Sequence, residues 1–139
     1  MNILIIDAQG GGIGRQIVAA IKQNIPEAVL TAVGTNSAAT TAMRKAGADK
    51  IATGENAVLV GCRKADVIIG PIGIVIADSL WGEITPTMAV AVGQSNAKKI
   101  LIPLNCCENI IVGIHDLSIG HLIKNMIDKL SEIQSQLGS

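Results

Sequence analysis

Short apolar runs alternate with amphipathic segments along the whole chain, which is the pattern of strands followed by helices. The runs are rich in Ile, Val and Leu, which suits strands that are covered on both faces of a sheet. On this basis the predicted strands are Asn2–Asp7, Val29–Gly34, about 50–52, 66–70 ("DVIIG"), 98–104 ("KKILIPL") and 109–114 ("NIIVGI").

Helical spacing of apolar residues, together with suitable end residues, predicts helices between the strands. They span about 12–24, 37–47, 55–64, 85–95 and 116–136. Ser37 and Thr85 are predicted N-caps, and Pro86 suits the first position of a helix. Thr53 is expected to cap the third helix. The segment 71–84 fits no single element.

Strands that alternate with helices imply parallel pairing and right-handed crossovers. The predicted fold class is therefore α/β, a single-domain Rossmann-like three-layer sandwich with a mostly parallel sheet. With 139 residues the chain is long enough for one such domain and too short for two. The sequence does not order the strands, so a flavodoxin-like order that holds a mononucleotide is a second interpretation.

Composition and charge narrow the range of partners. Eleven basic and eleven acidic residues give a formal net charge of zero, which argues against nucleic acid or an anionic membrane surface. No apolar run approaches the roughly 20 residues that span a bilayer, and no signal-like segment opens the chain. Three cysteines, two of them adjacent, make a poor disulfide framework, so we expect a cytoplasmic protein.

The stretch "NILIIDAQGGGIGRQIVAAI", residues 2–21, predicts a strand, a glycine turn and a helix. The first backbone N–H groups of a helix have no partner within it, and glycines let a negatively charged group approach them. Gly12 would allow that approach, and Gly14 would allow close packing of the helix on the strand. The residues expected to hold the phosphates of a ligand are Gly10, Gly11, Gly12, Ile13, Gly14 and Arg15. The alternative is a tight turn with a purely structural role.

Further candidates follow the other strands, because an open α/β sheet binds ligands at the carboxyl ends of its strands. Asn36 stands where an acidic residue would hold the ribose of NAD or an arginine would accept a 2′-phosphate, and its neutral amide can contact a ribose. Gly70 and Gly73 form either the far wall of the cleft or a plain turn. Asp7 accepts N–H bonds from its own turn, takes part in Mg²⁺ binding or contacts the ligand.

The histidines and cysteines lack a recognised spacing. His115 and His121 are six residues apart and, with Cys106 and Cys107, form no known pattern of metal ligands, so no metal site is predicted. A Cys107–His115 nucleophile pair is an alternative interpretation. Asp116 is more simply the N-cap of the last helix.

The pieces "DAQGGGIGRQIVAA" and "ADVIIGPIG" resemble the nucleotide-binding half of short-chain dehydrogenases/reductases. Gly12, Ile13 and Gly14 match the glycine turn of that family, and Asp66 and Gly73 match its segment at the fourth strand. The Thr-Gly pair and the Asn pair of the family are replaced by Asp-Ala and Gly-Pro. The chain has no Tyr, so the catalytic Tyr-x-x-x-Lys of the family is excluded.

Over nearly its full length the chain is similar to a functionally uncharacterised family of short bacterial proteins of about this size. The shared pieces are "QGGGIG", "GTNS", "TGENA", "GPIG", "GEITP" and "ILIPLN". Ala8 stands where that family usually has Gly. The resemblance implies membership of a family with a domain-of-unknown-function label, and it implies no activity.

These features predict a protein whose small-molecule partner is a nucleotide or a dinucleotide, with NAD or NADP among the candidate cofactors. Whether a reaction follows is open, and the side chains that could donate a proton are Asp78, Glu83 and His115. The alternative is a small homo-oligomeric regulatory or interaction module without catalysis, which binds at most an anion at the glycine turn. The apolar segment around Trp81 is expected to be buried against a second copy in a homodimer.

Overall fold

The computed structural model of the chain describes residues 1–104, 108–115 and 118–138. The strands are β1 Asn2–Asp7, β2 Val29–Gly34, β3 Lys50–Thr53, β4 Val67–Pro71 and β5 Lys98–Ile102. The α-helices are α1 Gly12–Asn24, α2 Ser37–Lys45, α3 Glu55–Lys64, α4 Pro86–Gln94 and α5 Ile119–Leu137. A short 3-10 helix, Ile72–Val75, follows β4.

The strands of the described residues form one sheet in the order β3-β2-β1-β4-β5, and every pairing is parallel. At the centre of the sheet, Ile5 of β1 pairs with Ala32 of β2 and with Ile69 of β4. This is the strand order of the Rossmann fold, whereas a flavodoxin-like sheet has the order 2-1-3-4-5. The predicted Rossmann-like α/β domain is therefore confirmed, and the flavodoxin-like alternative is wrong.

Alternate residues of β1 contribute to two separate apolar cores, one on each face of the sheet. Ile3 and Ile5 pack on one face of the sheet with side chains of α1 and α5. Leu4 and Ile6 pack on the other face with side chains of α3 and α4. Successive side chains of a strand point to opposite faces, so a strand covered on both faces has an unbroken apolar sequence.

The ends of α4 and α2 test two of the predicted caps. The Thr85 hydroxyl accepts a hydrogen bond from the Met88 N–H at 3.1 Å, so its capping role is confirmed. The cap of α2 is Asn36 and not Ser37, because the Asn36 Oδ1 accepts from the Ala39 N–H at 2.9 Å. Ser37 is instead the first helical residue.

The ends of α3 and α5 correct two further predictions. Gly54 is the N-cap of α3. Thr53, the predicted cap, ends β3, and its hydroxyl lies 2.7 Å from that of Thr40. Helix α5 begins at Ile119 after the N-cap Ser118, later than the predicted start near residue 116. None of the helices in the described residues combines the length and apolar content that crossing a bilayer requires.

The predicted sixth strand at 109–114 is wrong. Residues 108–115 are described and contain no strand. Gly113 has a φ of 86°, in the left-handed region that interrupts extended backbone. Ile110 and Val112 are 89% and 88% exposed, so this run has the composition of a buried strand without a sheet to cover it.

Candidate functional site

The glycine turn lies at the carboxyl edge of the sheet, between the end of β1 and the start of α1. Gly11 is the N-cap of α1 and has a φ of 73°, which glycine adopts without strain. Its N–H donates to the Ala8 carbonyl at 3.0 Å and closes the turn. A Cβ on Gly11 would lie 2.9 Å from the Ala39 Cα, so the close approach of α2 also requires glycine here.

The Asp7 carboxylate is held by this turn. Its Oδ2 accepts from the Gly14 N–H at 2.7 Å, and its Oδ1 accepts from the Ala8 N–H at 2.8 Å. The side chain is buried, and burial raises the pKa of the carboxyl although the two N–H bonds act in the opposite direction. Asp7 therefore has the predicted structural role in its own turn. The Gly14 N–H is bonded to Asp7 and is not available to a ligand.

Three other N–H groups of the turn are open. Within the described residues, no acceptor is bonded to the N–H of Gly10, Gly12 or Ile13. A Cβ on Gly10 or on Gly12 would meet no atom within 4 Å. The start of α1 also carries partial positive charge. The turn thus presents unbonded donors next to empty space.

A cleft of about 290 Å³ opens over these donors. It is lined by the chain from Asp7 to Ile13 and by Gln16, Leu80 and Ile119. Leu80 belongs to the segment between β4 and α4, and Ile119 is the first residue of α5. Ligand pockets span roughly 300–1,000 Å³, so this volume suits a phosphate with its sugar better than a whole dinucleotide.

Glu83 joins the turn to the end of β2. Its Oε1 accepts hydrogen bonds from the Gln9 N–H at 2.9 Å, from the Thr35 hydroxyl at 2.6 Å and from the Asn36 side-chain amide at 2.7 Å. Partial burial acts to raise the pKa of the Glu83 carboxyl, but the three hydrogen bonds together hold that pKa below its ordinary value. Glu83 is therefore ionised at neutral pH, and the amide of Asn36 is already engaged.

The segment before Glu83 has an unusual backbone. Asp78, Leu80 and Trp81 have φ values of 64°, 55° and 58°, which are uncommon for residues other than glycine. The Asp78 N–H donates to the Ile84 carbonyl at 2.7 Å and closes the segment. Leu80 and Ile84 are buried and anchor it, whereas Trp81 is 93% exposed. This conformation brings Glu83 across to β2.

Five of the predicted site residues do not line the cleft, namely Gly14, Arg15, Asn36, Gly70 and Gly73. Arg15 is exposed and lines a groove between α1 and α2. Gly70 and Gly73 are buried. A Cβ on Gly70 would lie 2.5 Å from the Ile6 carbonyl oxygen, and one on Gly73 would lie 3.2 Å from the Leu80 Cγ. Packing within the chain accounts for both glycines.

The described histidines and cysteine form no metal cluster. Within residues 1–104, 108–115 and 118–138, no three His, Cys, Asp or Glu side chains are grouped as metal ligands are. His115 is exposed. Cys106 and Cys107 lie outside the described residues, so the predictions made for them are not tested. Asp116 lies outside them too, but the N-cap of α5 is Ser118, so the predicted capping role of Asp116 is wrong.

The sequence alone pointed to one part of this arrangement. The run of glycines after a strand indicated the open turn, and the spacing of Asp7 from that turn indicated its N–H bonds. The contacts of Glu83 with Thr35 and Asn36 were missed. They depend on left-handed residues in the segment before Glu83, which no local pattern indicates.

The strand order and the glycine turn at the carboxyl edge define the class of this molecule, a Rossmann-like α/β protein. Solved structures are similar to it. The dodecameric FMN-dependent UbiX-like decarboxylase from Escherichia coli O157:H7 matches with a TM-score of 0.50 and 16% identity, over 100% of this chain and 96% of that chain. A probable oxidoreductase from Mycobacterium abscessus matches with a TM-score of 0.46 and 22% identity, over 98% of this chain and 41% of that chain. At 16% identity the likeness to the decarboxylase shows the fold alone.

The chain belongs to the family described as a domain of unknown function (DUF3842), which matches residues 2–135. The predicted membership of a functionally uncharacterised family is thereby confirmed. No curated protein matches the sequence. The similarity of the N-terminal half to short-chain dehydrogenases/reductases is not confirmed by these comparisons.

Proposed function

We propose that the protein binds a nucleotide at the carboxyl edge of the sheet, with a phosphate on the N–H groups of Gly10, Gly12 and Ile13. The observation that carries this proposal is the set of three N–H groups in the glycine turn and first turn of α1 that have no acceptor in the described residues. Two of them belong to glycines at which an added Cβ would meet no atom within 4 Å. Backbone N–H groups and partial positive charge together make a helix start suitable for a phosphate.

The candidate ligands are a mononucleotide such as 5′-AMP, FMN, and the dinucleotides NAD and NADP. The cleft of about 290 Å³ favours one phosphate–ribose unit, so a dinucleotide would place only one of its halves there. FMN is included because the Escherichia coli structure of the same fold is named as FMN-dependent.

Replacing Gly12 by Leu tests the proposal. The fold should tolerate the change, because a Cβ at this first helical position meets no protein atom within 4 Å. Side chains of a helix point towards its N-terminus, so the Leu would cover the open donors. We expect calorimetry with 5′-AMP, FMN, NAD⁺ and NADP⁺ to show affinity lowered by more than about tenfold.

Gly93→Leu is the matched control. Gly93 is also a helical glycine at which an added Cβ would meet no atom within 4 Å, and it lies in α4, away from the cleft. This variant should bind as the unmodified protein does. Nucleotide affinity that survives in Gly12→Leu would contradict the proposal, and so would failure of all four ligands to bind the unmodified protein at millimolar concentration.

A second candidate function, a homodimeric interaction module, is favoured by exposed apolar side chains. Trp81, Ile110 and Val112 are 93%, 89% and 88% exposed. Apolar side chains exposed to this degree are typical of association surfaces when they are contiguous. Under this function Trp81→Ser lowers self-association, measured by light scattering after size exclusion, while Gly12→Leu leaves it unchanged.

A further inference from the structure

We propose that Glu83 selects nucleotides with a free ribose diol over those that carry a 2′-phosphate. This selection rests on the proposed function, since it concerns the sugar of the ligand whose phosphate lies on the glycine turn. It is carried by one juxtaposition, in which the Glu83 carboxylate is hydrogen-bonded to both residues that follow β2, Thr35 and Asn36.

The end of β2 is where a Rossmann-like fold places the ribose of a nucleotide. An acidic side chain at this position receives the ribose hydroxyls, whereas an arginine accepts a 2′-phosphate. In this chain β2 is followed by the neutral Thr35 and Asn36. The carboxylate at this position is supplied by Glu83 instead, which lies 47 residues after Asn36 in the sequence.

The same carboxylate also contacts the glycine turn. Its Oε1 accepts from the Gln9 N–H at 2.9 Å, and the next N–H along the chain, that of Gly10, is open. The N–H group that donates to Glu83 and the first N–H group proposed to bind phosphate thus belong to adjacent residues, Gln9 and Gly10. On the proposed function, the ribose joined to a phosphate on Gly10 extends from the cleft towards the end of β2, where the Glu83 carboxylate lies.

The hydrogen bonding of Glu83 leaves it able to bind a diol. All three donors are bonded to Oε1, and within the described residues none is bonded to Oε2. Ribose hydroxyls can donate to that oxygen. Glu83 forms no ion pair in the described part of the chain, where the pairs are Lys22–Asp49 and Lys129–Glu132. A 2′-phosphate would therefore meet a carboxylate whose charge is not neutralised by a cation in the described residues.

Calorimetry with 5′-AMP and adenosine 2′,5′-bisphosphate tests this selection, because the two ligands share the 5′-phosphate and differ only in the 2′-phosphate. We expect the unmodified protein to bind 5′-AMP more tightly, by on the order of tenfold. Glu83→Gln keeps an oxygen acceptor for the same three donors and removes the charge. The ratio of the two affinities should therefore fall close to one.

Asp78→Asn is the matched control, since it removes an equal charge from an exposed residue of the same segment. It should keep the affinity ratio of the unmodified protein. A ratio that Glu83→Gln leaves unchanged would overturn the assignment to Glu83.

Equal affinities for the unmodified protein would overturn the selection without any variant, and binding that still requires Gly12 would then leave the proposed function standing. If neither adenine ligand binds, selection by Glu83 is excluded. The proposed function falls with it only if FMN, NAD⁺ and NADP⁺ also fail to bind.

Discussion

The carboxyl groups of Asp7 and Glu83 lie at the same edge of the sheet, yet their pKa values are shifted in opposite directions. Asp7 is enclosed, and burial outweighs its two backbone N–H bonds, so its pKa is raised. Glu83 is only partly buried, and the hydrogen bonds that it accepts outweigh the burial, so its pKa is lowered. Burial thus prevails at Asp7 and hydrogen bonding prevails at Glu83, although both carboxyl groups lie at the same edge of the sheet.

The hydrogen bonds of Glu83 predict a pH-dependent contribution to stability. Because the folded pKa lies below the ordinary value of 4.5, the unfolded chain binds more protons in this range, and stability is lost as the pH falls below that value. A hydrogen bond to a charged group contributes about 1 kcal/mol more to the free energy of unfolding than a hydrogen bond between neutral groups. Urea unfolding should therefore show Glu83→Gln to be less stable by about this amount at pH 7, with the difference shrinking at low pH.

The raised pKa of Asp7 changes the free energy of unfolding with pH in the opposite direction. Asp7 is present in both the unmodified protein and Glu83→Gln, so most of its contribution cancels when the two are compared. A difference in the free energy of unfolding between Glu83→Gln and the unmodified protein that stays constant from neutral pH to well below 4.5 would contradict the hydrogen bonding described for Glu83.

These two residues also show what the sequence could indicate at this scale. The bonds of Asp7 are local, to residues one and seven positions away, and an acidic residue before a glycine turn commonly makes them. The bond of Glu83 to Asn36 spans 47 residues. Its formation depends on the tertiary placement of two segments, which no spacing in the sequence indicates.

Within α1, Gly12 and Gly14 have opposite surroundings although they are two residues apart. Gly12 faces open space, whereas a Cβ on Gly14 would lie 2.6 Å from the Met43 Sδ and 2.8 Å from the Asp7 Cβ. Helix α1 therefore approaches β1 and α2 closely at Gly14. The predicted packing role of Gly14 is confirmed, and the role of Gly12 in ligand approach stays a proposal.

Gly14→Ala should destabilise the protein, because the added methyl group must push α1 away from β1 and α2. Overpacking of this kind costs about 1–3 kcal/mol in the free energy of unfolding, which urea titration measures. Gly12→Ala is the control, since its Cβ meets nothing and its stability should change by less than about 0.5 kcal/mol. Equal stabilities of the two variants would show that the close contact at Gly14 is wrong.

Among the secondary-structure elements, the sequence pattern correctly predicted most strands and helices. It failed where tertiary contacts determine whether a strand forms. Strands β1 and β2 and helix α1 have the predicted bounds, because apolar runs and end residues coincide there. The run at 109–114 has the same β-branched composition, but it pairs with no strand in the described residues. Strand propensity alone does not supply a neighbouring strand.

At the scale of the whole molecule, the alternation of strands and helices was enough to predict the Rossmann-like class, because parallel strands require crossover helices. The order β3-β2-β1-β4-β5 could not be predicted, since it depends on which faces the helices cover. That order places the ends of β1 and β2 side by side, with Asp7 opposite Gly34. The candidate site thus arises from the topology together with the glycine turn.

The most direct test of this account is an amide-resolved NMR titration of the unmodified protein with 5′-AMP. We expect the largest chemical-shift changes at the N–H signals of Gly10, Gly12 and Ile13, because these groups have no acceptor in the described residues of the free protein. Signals of these three groups that stay unchanged, with the largest changes instead at Ala38 and Ala42 in the groove between α1 and α2, would contradict it.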